Sequence, residues 1–243
     1  MPRGSPLPIF LHYIIHEYRK HAATADGQEV QPVRLPPLQQ ISEILESSVP
    51  NLREQLAVAR ALGLVKAKPK VGIYIQPYSF APAVRLSLLV AVALDRRYFD
   101  QFADLRRELE KAYFPQAIRL LTAEDKARLQ RLVEEAWAKL NENPPRIPHR
   151  EHRDLHLTIY SRLENVFVQG LLEAFWDAYE VVGLNRYSDI GFLREVWDYH
   201  RRFVEAIIAD DYPRAEQIFV EHINLLKRRQ PQDPKERFSL WEE

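Results

Sequence analysis

Apolar positions recur at helical spacing through most of the chain. From about Ala83 onward, Leu86, Leu89, Val90 and Ala93 fall at i, i+3, i+4 and i+7, one face of a helix. Phe99, Phe102, Leu105, Leu109 and Tyr113 make a second face, and Leu129, Leu132, Val133 and Trp137 a third. Leu155, Ile159 and Leu163 follow, then Leu171, Leu172, Phe175 and Tyr179. Phe192, Val196, Tyr199 and Phe203, then Ala215, Ile218, Phe219, Ile223 and Leu226, complete the series. The pattern predicts about seven helices with short connections. Pro115 lacks an N–H and crowds the preceding turn, so a break or kink is expected there. Pro144, Pro145 and Pro148 mark a loop, and Pro213 suits the first turn of the last helix.

The first 80 residues alternate differently. One helix is expected over Leu7 to Lys20, followed by a polar loop containing Asp26 and Gly27. Two short helices follow, Pro37 to Glu46 and Ser48 to Leu62, the second ended by Gly63. Leu64 and Val65, the basic Lys66, Lys68, Pro69 and Lys70, then Val71, Gly72, Ile73, Tyr74 and Ile75 read as a β-hairpin around a proline-glycine turn. Helix, tight turn, helix and basic hairpin is the layout of a winged helix-turn-helix. The predicted fold is therefore mainly α. Its parts are a winged helix-turn-helix with a small β-hairpin wing at 1–78, a linker at 79–84, an all-helical bundle of about six to seven helices at 85–232, and a tail at 233–243.

Charge sharpens this division. Lys plus Arg and Asp plus Glu are each 34 in a chain of 243 residues, so the net charge is zero and wholesale binding to nucleic acid is excluded. The charges are unevenly placed. Residues 1–80 hold 9 basic and 6 acidic side chains, net +3, and the remainder is net −3. That sign fits a DNA-reading head on an acidic body, although a solvated basic turn would carry the same charge. Ser48 can cap the second short helix. Leu52, Leu56, Ala59 and Leu62 form its packing face, and Asn51, Arg53 and Gln55 lie on the face toward the N-terminal end that such motifs put into the major groove. Lys66, Lys68 and Lys70 on the wing can sit on phosphates.

Cysteine is absent, which removes disulfides, thiolate metal sites and a cysteine nucleophile. The apolar run from Ile9 to Ile15 is too short for a signal peptide, and Leu86 to Leu94 is far below the ~20 residues of a membrane span. A soluble cytoplasmic protein with no membrane partner is expected.

The 8 histidines are His12, His16, His21, His149, His152, His156, His200 and His222. His152 and His156 are i, i+4 on one helix and share a face. His200 precedes the turn at Asp210 and Asp211 by about as many residues as His222 follows it. In an antiparallel hairpin that sets the two level, given ~1.5 Å of rise per residue. Three helices can thus bring four imidazoles together in a bundle core, a common place for metal. Any one of them could instead be an ordinary core or surface histidine.

Two stretches resemble known regulators. Leu35-Pro36, Ile41-Ser42-Glu43-Ile44-Leu45, Ser48, Leu52-Arg53-Glu54-Gln55-Leu56, Gly63-Leu64-Val65, Pro69 and Gly72 resemble the head of the GntR family of bacterial regulators. The resemblance runs from Leu35 through Ile75 and implies a DNA-contacting role for Arg53, beside Ser48, Asn51, Lys68, Lys70 and Gly72. Val49 and Gln39 stand where the family has arginines, and the loop from His21 to Val33 is longer than usual. Further on, Asp104-Leu105-Arg106-Arg107-Glu108-Leu109-Glu110, Leu120-Leu121-Thr122, Leu155-His156, Asn165, His200 through Ala206, Asp211, Ala215 and His222 resemble the FCD effector domain of the FadR-like subgroup. Members are all-helical, usually dimeric, and commonly hold a divalent metal by an Asp and three histidines beneath a small-molecule pocket.

By that resemblance His156, His200 and His222 are metal ligands, and His152 occupies the place of the Asp. Asp154 should face elsewhere on a regular helix, and His149 is a weaker alternative. An all-imidazole set suits zinc, nickel or copper better than manganese or calcium, with zinc or nickel expected. Arg106 and Asn165 fall on pocket positions. Arg106 can clamp a carboxylate, or simply pair with Glu110 at i+4. The expectation is a regulator that binds operator DNA as a homodimer and senses a small carboxylate. Two alternatives stand beside it: a helical metalloenzyme such as a hydrolase, and a metal-independent acyl-CoA sensor. For the enzyme, no His-Glu-x-x-His motif, Gly-rich phosphate loop or nucleophile elbow is present.

Overall fold

In the computed structural model, residues 6–22, 33–68, 71–182 and 189–228 are described. The chain forms two compact units, one up to Leu94 and one from Asp95 onward. The first contains α1 (Ile9–Ala22), β1 (Arg34–Leu35), α2 (Leu38–Leu45), α3 (Val49–Ala61), β2 (Val65–Lys68), β3 (Gly72–Ile75) and α4 (Ala81–Leu94). Phe10, Leu11 and Ile14 of α1, Ile41 of α2, and Leu52 and Ala59 of α3 share one core with Leu35, Val65 and Ile75 of the sheet. Leu56 and Leu62 pack against it, as the apolar face of α3 predicts.

The turn between α2 and α3 is closed at both ends. Glu46 takes a left-handed conformation, and Ser42 Oγ donates to the Ser47 carbonyl at 2.6 Å. Ser48 caps α3 by accepting from the Asn51 backbone N–H. At the other end of α3, the Gly63 and Leu64 N–H groups donate to the Arg60 and Ala59 carbonyls. This Schellman closure places Gly63 at φ +72°, in the left-handed region where glycine is unstrained.

The wing is an antiparallel sheet in the order β1-β3-β2. Arg34 pairs with Tyr74 and Tyr74 with Lys66, so these three share one face. Leu35, Ile73 and Ala67 pair on the face toward the core. The hairpin is as expected, and β1 adds a third strand to it. The segment 79–84 is not a linker throughout. Helix α4 begins at Ala81, Pro82 occupies its first turn where no N–H is needed, and the units divide after Leu94. Lys70 and the 233–243 tail lie outside the described residues.

The second unit consists of α5 (Arg97–Arg119), α6 (Ala123–Leu140), α7 (His149–Ile159), α8 (Val166–Val182), α9 (Ile190–Ile208) and α10 (Tyr212–Arg228). Among the described residues it is all helical, a six-helix bundle. Phe114, Leu129, Leu155, Leu172, Phe203 and Phe219 belong to its continuous core. Pro115 does not break α5, which runs through it. α6 opens with a capping box: Thr122 accepts from the Asp125 N–H, and Asp125 accepts from the Thr122 N–H. α9 and α10 form an antiparallel hairpin, its turn closed by the Asp211 N–H on the Ala206 carbonyl. No described helix is long and apolar enough to cross a membrane.

Candidate metal centre

Four helices of the second unit deliver a polar group into an otherwise apolar core. α7 supplies His152 and His156, α9 His200 and α10 His222, while α5 brings Arg106 and Glu110 alongside. All six are buried. One nitrogen from each of His152, His156 and His200 can be chosen so that all three lie within 4.8 Å of one another. The His152 and His156 rings are 5.0 Å apart, as one helical turn dictates. His200 stands 4.9 Å from the first and 5.3 Å from the second. His222 lies level with His200, ring centroids 4.6 Å apart, and 6.3 Å from His156. It stands beside the trio and outside that close group. Trp176 and Trp197 wall the site, with Trp176 4.7 Å from His152 and Trp197 4.7 Å from His200.

The hydrogen bonding is incomplete. His156 Nε2 and both ring nitrogens of His200 and of His222 are buried without a hydrogen-bond partner. Buried polar atoms are nearly always paired, and each orphan costs about 1–3 kcal/mol. Burial, reinforced by the neighbouring imidazoles and by Arg106, pushes the pKa values of His152, His200 and His222 well below the ordinary histidine value. The rings are therefore neutral near pH 7, the state in which imidazole donates a lone pair to a metal. Neutral, convergent, unpartnered nitrogens fit a divalent ion of the imidazole-preferring kind.

Glu110 is the one carboxylate in contact with this group among the described residues. It is 1% exposed, and its Oε1 lies 3.0 Å from His156 Nδ1 while Oε2 accepts from Arg106 Nη1 at 2.7 Å. Burial pushes its pKa up, but Arg106 and His156 together outweigh that and leave it below the usual carboxylate value. The sequence pattern offered the Arg106–Glu110 pair only as the plain alternative to an effector clamp, and the pair is formed. Arg106 also stacks over Phe175, 4.5 Å from the ring centroid, and its Nε is buried without a partner.

Asn165 takes a different part. Its Oδ1 accepts from the N–H groups of Phe167 and Val168 at the start of α8, and Nδ2 faces the Tyr113 hydroxyl at 3.5 Å. None of these bonds reaches the histidines. Asp154 pairs with Arg150 and Arg153, away from the trio, and His149 is only half-buried at the start of α7.

The FCD domain family matches residues 101–225, just over half of the chain and nearly all of the helical bundle. The chain belongs to the FCD domain family. A GntR protein of Streptococcus agalactiae is 18% identical over 90% of this chain and 95% of its own, with a TM-score of 0.65, a likeness of fold. McbR/YncC of E. coli is 19% identical over 91% of this chain and 99% of its own, with a TM-score of 0.47. A GntR family member of Pseudomonas syringae is 19% identical over 90% and 84%, with a TM-score of 0.38. The last two superpose too loosely to add to the argument. No curated protein matches the sequence.

In this FCD protein the N-terminal unit presents its polar residues where the sequence pattern places them. Ser48, Asn51 and Arg53 are exposed at the N-terminal end of α3, as are Lys66 and Lys68 on β2. Two side chains are committed within the fold. Gln55 accepts from the Phe10 N–H at 2.8 Å, and Asn51 donates to Ser47 Oγ at 2.9 Å. Sequence reasoning missed Arg34. Gly72, at φ +125°, lies so close to the Arg34 guanidinium that a Cβ would stand 2.8 Å from Nε. Its signal was weak, because a two-residue strand shows no alternation.

Proposed function

We propose that this regulator senses a small carboxylate at a divalent metal, zinc or nickel, held by His152, His156 and His200 with His222 as the further ligand. The observation that carries the reading is the set of five buried imidazole nitrogens with no hydrogen-bond partner. A metal-independent acyl-CoA sensor leaves them unexplained. Bound there, the ion supplies a Lewis-acidic positive charge that three or four neutral imidazoles do not cancel. That charge attracts an anion. Arg106 adds less to the attraction than its own charge suggests, because Glu110 neutralises it. What Arg106 still offers is the unpartnered Nε edge. Asn165 offers its Nδ2 at the start of α8, its oxygen being occupied there.

The protein acts in the cytoplasm as a homodimer on a short palindromic operator. One head reads few base pairs, and two are needed for useful specificity. Ser48, Asn51 and Arg53 face the major groove, with Lys68, Lys70 and Gly72 on the wing. The test is operator selection from genomic fragments, followed by fluorescence anisotropy with a panel of small carboxylates. At least one acid should shift operator affinity several-fold in zinc-loaded protein and leave chelator-treated protein unmoved. Equal responses with and without metal would refute the sensing model.

A further inference from the structure

The Glu110 carboxylate spans two partners. One oxygen lies 3.0 Å from His156 Nδ1, and the other accepts from Arg106 Nη1 at 2.7 Å. The Glu110 backbone carbonyl accepts from the Tyr160 hydroxyl at 3.0 Å, which ties this turn of α5 to the end of α7. An ionised carboxylate only accepts, so the proton on this ring must sit on Nδ1. In the neutral form of the ring the opposite nitrogen, Nε2, is then a bare lone pair. It is buried, unpartnered and on the ring that closes against His152 and His200. His200 has no hydrogen-bond partner on either nitrogen, so no comparable device fixes its tautomer.

We propose that Glu110, clamped by Arg106, is a positioning residue that fixes the tautomer and ring orientation of His156, and so decides whether the trio can bind a metal. Among the described residues it is also the carboxylate that contacts the ligand set. The tautomer claim stands on the hydrogen bonds alone, and the binding claim rests on the metal reading above. Glutamine at 110 cannot do the same work. With its oxygen on Arg106, its NH2 donates to Nδ1 and drives the ring proton to Nε2, closing the ligand position. With its oxygen on His156, its NH2 abuts the guanidinium, and Arg106 is left buried without its anion.

The experiment uses the full chain labelled with 15N-histidine and treated with chelator. Long-range proton–nitrogen correlation reads each ring, and the His156 signals are assigned by substitution. Wild type should show His156 protonated at Nδ1 and bare at Nε2, whereas Glu110→Gln should not. Zinc affinity, measured by competition with a chromophoric chelator, should fall 10- to 100-fold in Glu110→Gln, the usual effect of losing such a partner. A wild-type His156 protonated at Nε2 would overturn the proposal, even if Glu110→Gln fails to fold. Zinc affinity in folded Glu110→Gln within about threefold of wild type would overturn it too, on the same scale of effect. Wild type that takes up no zinc, with the expected tautomer, would overturn the metal reading and the binding claim and leave the tautomer claim standing.

Discussion

Replacing His200 by leucine separates a metal site from an ordinary histidine core, because the two predict opposite signs. His200 is fully buried, and both ring nitrogens lack partners. Each orphan costs about 1–3 kcal/mol, and a volume-conserving swap costs less than about 1.5 kcal/mol in packing against Trp197, Phe203 and the neighbouring imidazoles. In chelator, relief of the two orphans outweighs the packing cost, and His200→Leu should therefore exceed wild type by about 1 kcal/mol or more. With zinc at about 100 times its dissociation constant, wild type should gain about 2.7 kcal/mol and the variant, missing one of three close ligands, almost nothing. The order of stability reverses between the two conditions. Urea unfolding followed by tryptophan fluorescence reads it directly, since Trp176 and Trp197 flank the site. If His200→Leu is destabilised equally in chelator and in zinc, the histidine is a packing residue and the reasoning fails.

Gly63→Ala should destabilise the head by about 2 kcal/mol or more, because the position has φ +72° and a Cβ would lie 2.5 Å from Pro82 Cγ. Hydrogen exchange of the α3 amides reports it, and unchanged protection would contradict the close contact. Asp125 is held at about 2 from 3.8, chiefly by hydrogen bonds from Arg162, against burial and with help from Thr122. Its stabilisation is complete above the unfolded value and is lost as pH falls from about 4 to about 2. Since Arg162 is half-exposed and screened by water, Asp125→Asn should cost only about 1 kcal/mol at pH 6 and little at pH 2, compared by urea unfolding. Arg53→Ala should weaken operator binding by about 1–3 kcal/mol, measured by anisotropy, if the side chain reaches a base; unchanged affinity would remove α3 as the reading helix.

The two histidine pairs were legible because periodicity sets each of them, although it does not by itself bring the pairs together. An i, i+4 pair on one helix meets a level pair on a hairpin, and the rings lie as close as that arithmetic requires. The Schellman glycine and the Ser48 cap were legible for the same reason, since each depends on neighbours within one turn. What stayed hidden depends on distance or on competing uses of one residue. Glu110 and His156 are 46 positions apart, and no local pattern announces a carboxylate that will orient a particular imidazole. Asn165 was visible as a residue preceding an apolar run, the ordinary signature of a helix start, but the pocket role implied by resemblance obscured it. The segment 79–84 suggested a linker, yet proline in a first turn starts a helix as readily as it ends one, and α4 begins there. Arg34 joins the wing through a strand too short to show a period.

The central claim is that the buried imidazoles of this FCD domain hold one divalent ion. Native mass spectrometry of the full chain, titrated with zinc and with nickel after chelation, tests it most directly. The account predicts uptake of one ion per chain, lost in the His156→Ala, His200→Ala double variant while that variant keeps its helical circular dichroism. A wild-type chain that takes up neither metal, or a double variant that still binds one ion per chain as tightly, would contradict it.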